Sequence, residues 1–118
     1  MAYSQDLRNG KINMLSQVLV AGVSPVIDLQ GGTLAGVLIL TDITSTTFTI
    51  TVSNEVDGTF VTVKDPIAAG ADITYTVGAT ATGYFPIAPA TTAGFRFCKI
   101  AFDQSETPTI YVSRRSMD

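Results

Sequence analysis

Histidine and tryptophan are absent from the 118 residues, and Cys98 is the single cysteine. Without imidazole there is no His-based acid–base chemistry, no Ser-His-Asp or Cys-His nucleophile system, and no ordinary zinc or copper site. A lone cysteine excludes an intramolecular disulfide, which fits synthesis in a reducing cytosol. Charge is also scarce: 14% of residues are Asp, Glu, Lys or Arg, against roughly 25% in ordinary soluble domains. Lys and Arg together number seven and the net charge is −3. A dense cationic footprint for displacing counterions from nucleic acid is therefore missing, and no nucleic-acid partner is expected. The apolar run Val37-Leu38-Ile39-Leu40 is far short of the roughly 20 residues that span a bilayer. The opening residues Met1 to Asp6 carry no basic segment leading into an apolar stretch, so neither a secretory signal nor a membrane partner is expected.

What is present is apolar and small. The apolar fraction is 46%, too high for a disordered chain, and the length suits one core. With few charges available, much of the surface must be Thr, Ser, Ala and Gly. Such a surface is easily desolvated, because no hydrated charge has to be stripped from it. The composition points to a chain that lives in contact with copies of itself or with another protein.

The periodicity is that of strands. In Thr47-Phe48-Thr49-Ile50-Thr51-Val52-Ser53, Phe48, Ile50 and Val52 point to one face and the threonines to the other. β-Branched Thr favours extended backbone while keeping that face polar. Asp57-Gly58 is a turn signal, Gly tolerating positive φ, and Thr59 to Lys64 returns as a partner strand. Asp65-Pro66 ends it. Asp72 to Val77 alternates again with Ile73, Tyr75 and Val77 inward. Gly78 to Gly83 reads as a loop, Tyr84 to Ile87 as a short extended piece, and Ala88 to Gly94 as a crossing with room for one helical turn. Phe95 to Phe102 reads as a long central strand and Thr109 to Ser113 as the last. Val18-Leu19-Val20, Val26 to Leu29 and Leu34 to Leu40 add three earlier strands. Eight or nine short strands with frequent turns predict a single-domain antiparallel β-sandwich spanning 13–118. Residues 1–12 are polar and patternless, and are expected to form an extended N-terminal arm.

Few residues suggest chemistry. Cys98 lies inside an apolar strand with no base to activate it, so packing is its expected role. The carboxylates fall mostly at strand ends, where Asp usually caps turns; a glycosidase pair or a calcium site built from Asp42, Asp57 and Asp103 are the alternatives. Gly31-Gly32 and Gly78 fit turns better than phosphate loops. Phe95, Phe97, Phe102, Tyr75, Tyr84 and Tyr111 are expected to fill the core, the alternative being an exposed platform for sugars or single-stranded nucleic acid. No catalytic residue, metal ligand or cofactor is expected. Arg114-Arg115 is a candidate interface anchor, since guanidinium groups hold carboxylates bidentately.

Three segments occur in a particular order. They are Val26-Ile27-Asp28-Leu29 leading into Leu34–Leu40, then Thr47–Ser53 with Asp57-Gly58-Thr59-Phe60, then Phe85-Pro86-Ile87-Ala88-Pro89 followed by Gly94-Phe95-Arg96-Phe97-Cys98-Lys99-Ile100. Across residues 18 to 113 this pattern resembles small, jelly-roll-like β-sandwich virion proteins of tailed bacteriophages and related gene-transfer particles. The resemblance implies a non-enzymatic structural role. The leading expectation is a capsid decoration (cement) protein on the virion surface, a homotrimer clamping neighbouring major capsid proteins. A tail, neck or baseplate component is the alternative, and a carbohydrate-binding module is the alternative of another class. Position in the chain nominates Tyr3, Leu7 and Arg8 of the arm and Arg114, Arg115 and Met117 of the tail as interface residues.

Overall fold

The computed structural model describes residues 11–68, 70–77 and 82–116, and over these the chain is all-β. The strands are β1 (Lys11–Val18), β2 (Ile27–Asp28), β3 (Thr33–Ile39), β4 (Thr47–Ser53), β5 (Val61–Thr62), β6 (Tyr75–Thr76), β7 (Gly83–Pro86), β8 (Phe97–Phe102) and β9 (Thr109–Ser116). A 3-10 turn, Pro89–Thr91, lies in the crossing where room for one was expected.

One sheet has the order β1-β9-β3-β7, and the other β2-β8-β4-β5 with β6 also on β4. The pairing is nested: β1 with β9, β2 with β8, β3 with β7, and β4 with β5 and β6. Every pair is antiparallel. This is a long hairpin wrapped on itself, which is the jelly-roll arrangement of two facing sheets. The expected sandwich class is thus the observed one.

Alternation places the core between the sheets. Leu34, Val37 and Ile39 of β3, Phe48, Ile50 and Val52 of β4, Cys98, Ile100 and Phe102 of β8, and Ile110 and Val112 of β9 are all buried. Phe48 anchors an aromatic group, stacked on Tyr75 with centroids 4.9 Å apart and tilted against Phe102 at 5.2 Å. Phe85 meets it edge-on at 6.0 Å.

A bulge at Ala35 shifts the β3–β9 register. The polar groups it displaces are satisfied elsewhere. Ile87 N–H donates to the Ala35 carbonyl at 3.0 Å, and Leu34 N–H donates to the buried Thr92 Oγ1 at 3.0 Å. The 88–94 crossing is thereby fastened to the sheet beneath it.

Three local details differ from the sequence pattern. The first strand is Lys11–Val18, and the expected piece Val18-Leu19-Val20 instead runs into a tight turn. There Val20 and Val23 exchange hydrogen bonds of 2.9 and 3.1 Å around Ala21 (φ 52°) and Gly22 (φ 81°), the positive-φ pair of a type I′ turn. Lys11 and Ile12, expected in the arm, belong to β1. β1 escapes pattern reading because its alternation is inverted: Ile12, Met14 and Val18 are exposed while Asn13 and Gln17 are half-buried with Leu15. Second, β9 continues through Arg114 and Arg115, which are strand and not tail. Third, Gly58 is not at positive φ. A Cβ there would press on the Ser53 hydroxyl and the Glu55 side chain, so the turn needs glycine for space.

Candidate functional site

The inner faces of the sheets are filled, so the candidate surfaces are the outer faces, the edges and the ends. On the four-stranded sheet, register puts Ile12, Met14, Ser16 and Val18 of β1 opposite Arg115, Ser113, Tyr111 and Thr109 of β9. The same outer face continues into Leu38 of β3, which faces Tyr111 on one side and Tyr84 of β7 on the other. Tyr84 lies across Gly36, where any Cβ would collide with its ring, and its hydroxyl shares a 3.0 Å hydrogen bond with Ser113 Oγ. The glycine is therefore a seat for the tyrosine. Ile12 (61%), Met14 (51%), Val18 (54%) and Tyr84 (48%) are strongly exposed. Among the described side chains of this face, Arg115 is the one that carries charge.

The outer face of the second sheet differs. Thr47, Thr49 and Thr51 of β4 line up with Thr76 of β6, Ala101 and Lys99 of β8, and Thr62 of β5. Lys99 Nζ sits 4.4 Å from the centroid of Phe60, a cation–π contact. Threonine methyl and hydroxyl groups give this face a mixed, hydrated character.

At one end of the sandwich an open cleft of about 640 Å³ is lined by Asp28, Gln30, Asn54, Phe95, Arg96 and the glycines 31, 32 and 94. Gln30 (φ 53°) and Gly31 (φ 80°) form a type I′ turn closed by Gly32 N–H donating to the Leu29 carbonyl at 2.8 Å. Asp28 initiates that turn by accepting from Gln30 N–H at 2.9 Å. Its carboxylate also accepts from Arg96 Nε at 3.4 Å and Nη2 at 3.3 Å. Those Arg96 bonds hold the Asp28 carboxyl below its ordinary 3.8, against a partial desolvation and with help from the Gln30 amide and the Arg114 charge. Arg96 lies over Phe97 at 5.3 Å, and its amide donates to Asn54 Oδ1 at 3.2 Å.

At strand connections elsewhere, carboxylates serve the backbone. Asp103 accepts from Thr46 N–H and Oγ1 (both 2.9 Å) and Thr47 N–H (3.2 Å). The Thr46 hydroxyl bond foremost lowers its pKa below 3.8. Glu106 accepts from Thr44 N–H at 3.0 Å, Ser45 N–H at 2.8 Å and the Ser45 hydroxyl. Partial burial pushes the Glu106 carboxyl up, but those hydrogen bonds outweigh it and bring it below 4.5. Together they tie the 44–47 segment to the 103–106 turn. Asp65 caps its own turn through Ile67 and Ala68. Among the described residues no group of three or more His, Cys, Asp or Glu is gathered as a metal would need, so Asp42, Asp57 and Asp103 do not converge. Cys98 is buried, which pushes its thiol up to about 12.

Of the residues nominated from sequence, Tyr3, Leu7, Arg8 and Met117 lie outside the described residues. Arg114 and Arg115 point to opposite sides of β9. Arg114 turns between the sheets, and its Nη1 donates to the Asp28 carbonyl of the other sheet at 2.5 Å. Its buried Nε has no hydrogen-bond partner among the described residues. Arg115 faces outward beside Ile12. The six nominated aromatics divide three ways. Phe102 and Tyr75 fill the core, Phe95 and Phe97 flank the end cleft, and Tyr84 and Tyr111 join the outer face. The apolar outer face itself is missed by sequence reasoning, because β1 carries half of it.

Comparison with protein-family models, with curated proteins and with solved structures finds no match to this chain. Among the described residues no helix is long and apolar enough to cross a membrane.

Proposed function

We propose that this chain is a non-enzymatic structural subunit that packs the outer face of its four-stranded sheet against another protein. The setting that accords with the sequence resemblance is a tailed-phage head, where it would act as a decoration protein bridging major capsid proteins. The observation that carries this reading is the face formed by Ile12, Met14, Val18, Leu38, Tyr111 and Tyr84, with Arg115 as its one charge among described side chains. Exposed apolar and aromatic side chains gathered on one sheet face in this way are a mark of an interaction surface. Covering this face desolvates a single charge among its described side chains, Arg115, while each Å² of apolar surface contributes roughly 25 cal/mol before association entropy is subtracted. Tyrosine pairs supply rigid area at little conformational loss, as at other interfaces. The direct test mixes the purified chain with undecorated expanded heads and measures co-sedimentation. Saturable binding that Leu38→Lys weakens supports the reading, and absence of binding to head, neck and tail alike overturns it.

A second reading has its own observation. The end cleft combines an exposed aromatic, Phe95, with the amide of Asn54, the carboxylate of Asp28 and the guanidinium of Arg96 between glycine turns. A ring face beside polar groups at that spacing suits a sugar. Binding on a glycan array that is lost in Phe95→Ala favours it, and a blank array removes it.

A further inference from the structure

The sheet edges are not alike. β2 and β5 are two residues long, and β7 is four and closes with Pro86. Short strands and proline are the usual protection of an edge against pairing with another chain. β1 has none of this protection. It runs eight residues in unbroken register with β9, contains no proline, and has no ionisable side chain from Ile12 to Val18. Among the described residues nothing pairs with its other side.

The backbone direction along that side can be deduced. Leu19 N–H donates to the Pro108 carbonyl on the β9 side, while Val20 N–H points the other way, to Val23. N–H and C=O of one strand residue share a direction that alternates along the chain. Hence the odd-numbered residues of β1 bond β9, and Ile12, Met14, Ser16 and Val18 present their N–H and C=O groups to the open edge. The same four residues carry the exposed side chains of the outer face.

We infer that the open edge of β1 binds β1 of a second copy of this chain, antiparallel, about a twofold axis through Leu15. In this register Ile12 faces the partner's Val18 and Met14 faces the partner's Ser16, each as a hydrogen-bonded pair. Every outward backbone group from Ile12 to Val18 is then satisfied, which is the condition a self-complementary edge must meet. Opposed residues of an antiparallel pair share a face, so the apolar outer faces of both copies join into one continuous surface. No like charges meet, since the two Lys11 residues lie at opposite ends of the paired strands. The second copy is favoured over an unrelated strand because the register closes on itself with apolar residues opposite apolar or neutral ones. The inference deepens the packing role proposed above and rests on it only for its setting. The edge geometry stands by itself, and the trimer expected from the sequence would need a different interface.

The experiment measures the molar mass of the full chain by light scattering across concentration. A mass twice the 12.4 kDa of the chain is expected. Ser16→Pro removes an outward N–H and leaves the odd-numbered bonds to β9 intact, so it should halve that mass with an unchanged circular-dichroism spectrum. Should that variant misfold, a register test decides. Mixed Met14→Cys and Ser16→Cys copies should oxidise to a disulfide-linked pair, because directly opposed Cα atoms at about 5.5 Å lie within disulfide reach. Neither variant alone should link as fast, its own cysteines being displaced along the strands. A wild-type monomer at high concentration, a trimer indifferent to Ser16→Pro, or equal linking by every cysteine combination overturns the inference. Leu38→Lys separates the two readings: it should leave the dimer intact while weakening binding to heads. A dimer that binds no particle therefore rejects the packing role alone, and a monomer that binds rejects the edge pairing alone.

Discussion

The two outer faces are built on the same plan, alternate residues of antiparallel strands, yet they carry different chemistry. On the β2-β8-β4-β5 side the outward positions are mostly threonine, with Lys99, Asp28, Ala101 and Phe97. On the β1-β9-β3-β7 side Ile12, Met14, Val18, Leu38, Tyr84 and Tyr111 share the face with Ser16, Thr109, Ser113 and Arg115. Both choices suit extended backbone, because Thr, Tyr, Ile and Val all favour strands. The difference therefore lies in side-chain polarity and not in strand propensity. A threonine face keeps its hydroxyls in water, whereas an apolar face with a seated tyrosine gains from being covered. The carboxylates serve turns and strand ends, Asp28 doing so from the margin of the threonine face. Asp103, Glu106, Asp65 and Asp28 hold turns and strand ends in place.

The sharpest way to break this contrast is to charge each face in turn. Leu38→Lys should weaken binding to the partner surface by about thirtyfold or more, the size of an interface hot spot. Thr49→Lys on the opposite sheet should change the same co-sedimentation constant by about twofold at most. Equal effects would mean that the faces are not functionally distinct.

The next effects concern how the apolar face is supported from beneath. Thr92→Val removes the acceptor of the buried Leu34 N–H, so the chain should lose about 1–3 kcal/mol in denaturant unfolding. Gly36→Ala drives a methyl into the Tyr84 ring and should cost about 1–3 kcal/mol as the ring is displaced. Fluorescence of Tyr84, compared with a Tyr84→Phe control, would report that displacement.

Acid probes the ends. Asp28, Asp103 and Glu106 have folded pKa values below their ordinary 3.8, 3.8 and 4.5. A depressed carboxylate stabilises the fold above its unfolded pKa, and that contribution is lost as pH falls through the lower folded value. The melting temperature should thus hold from neutral pH to about 5 and decline below 4.5 and 3.8. Glu106→Gln should flatten the upper part of that decline. The smallest effect belongs to the threonine face, where Thr49→Val keeps the β-branch and should shift stability by about 0.5 kcal/mol or less.

Much of the fold was legible because β4, β6 and β8 obey the simple rule that apolar positions alternate inward. Phe48, Ile50 and Val52 could be placed from period alone, and the structure buries them. The rule fails at β1, where Ile12, Met14 and Val18 point out while Asn13 and Gln17 are half-buried. An inverted strand at an edge looks like a polar arm, and the candidate surface was hidden with it. Arg114 and Arg115 illustrate a second limit. They are adjacent in sequence, but strand geometry sends one between the sheets to the Asp28 carbonyl and the other to the outer face. No adjacency argument separates their roles.

The amino-acid sequence by itself determined the class of structure and which reactive side chains are lacking. Strand periodicity, one cysteine and no histidine are properties of composition and short-range order, so they need no knowledge of neighbours. Only the tertiary structure decided which alternate residues make up the apolar outer face, which edge is unpaired among the described residues and where the charges act. Those depend on the nested pairing of β1 with β9 and β3 with β7, contacts between segments far apart in the chain, and a one-residue change in register would reverse every one of them.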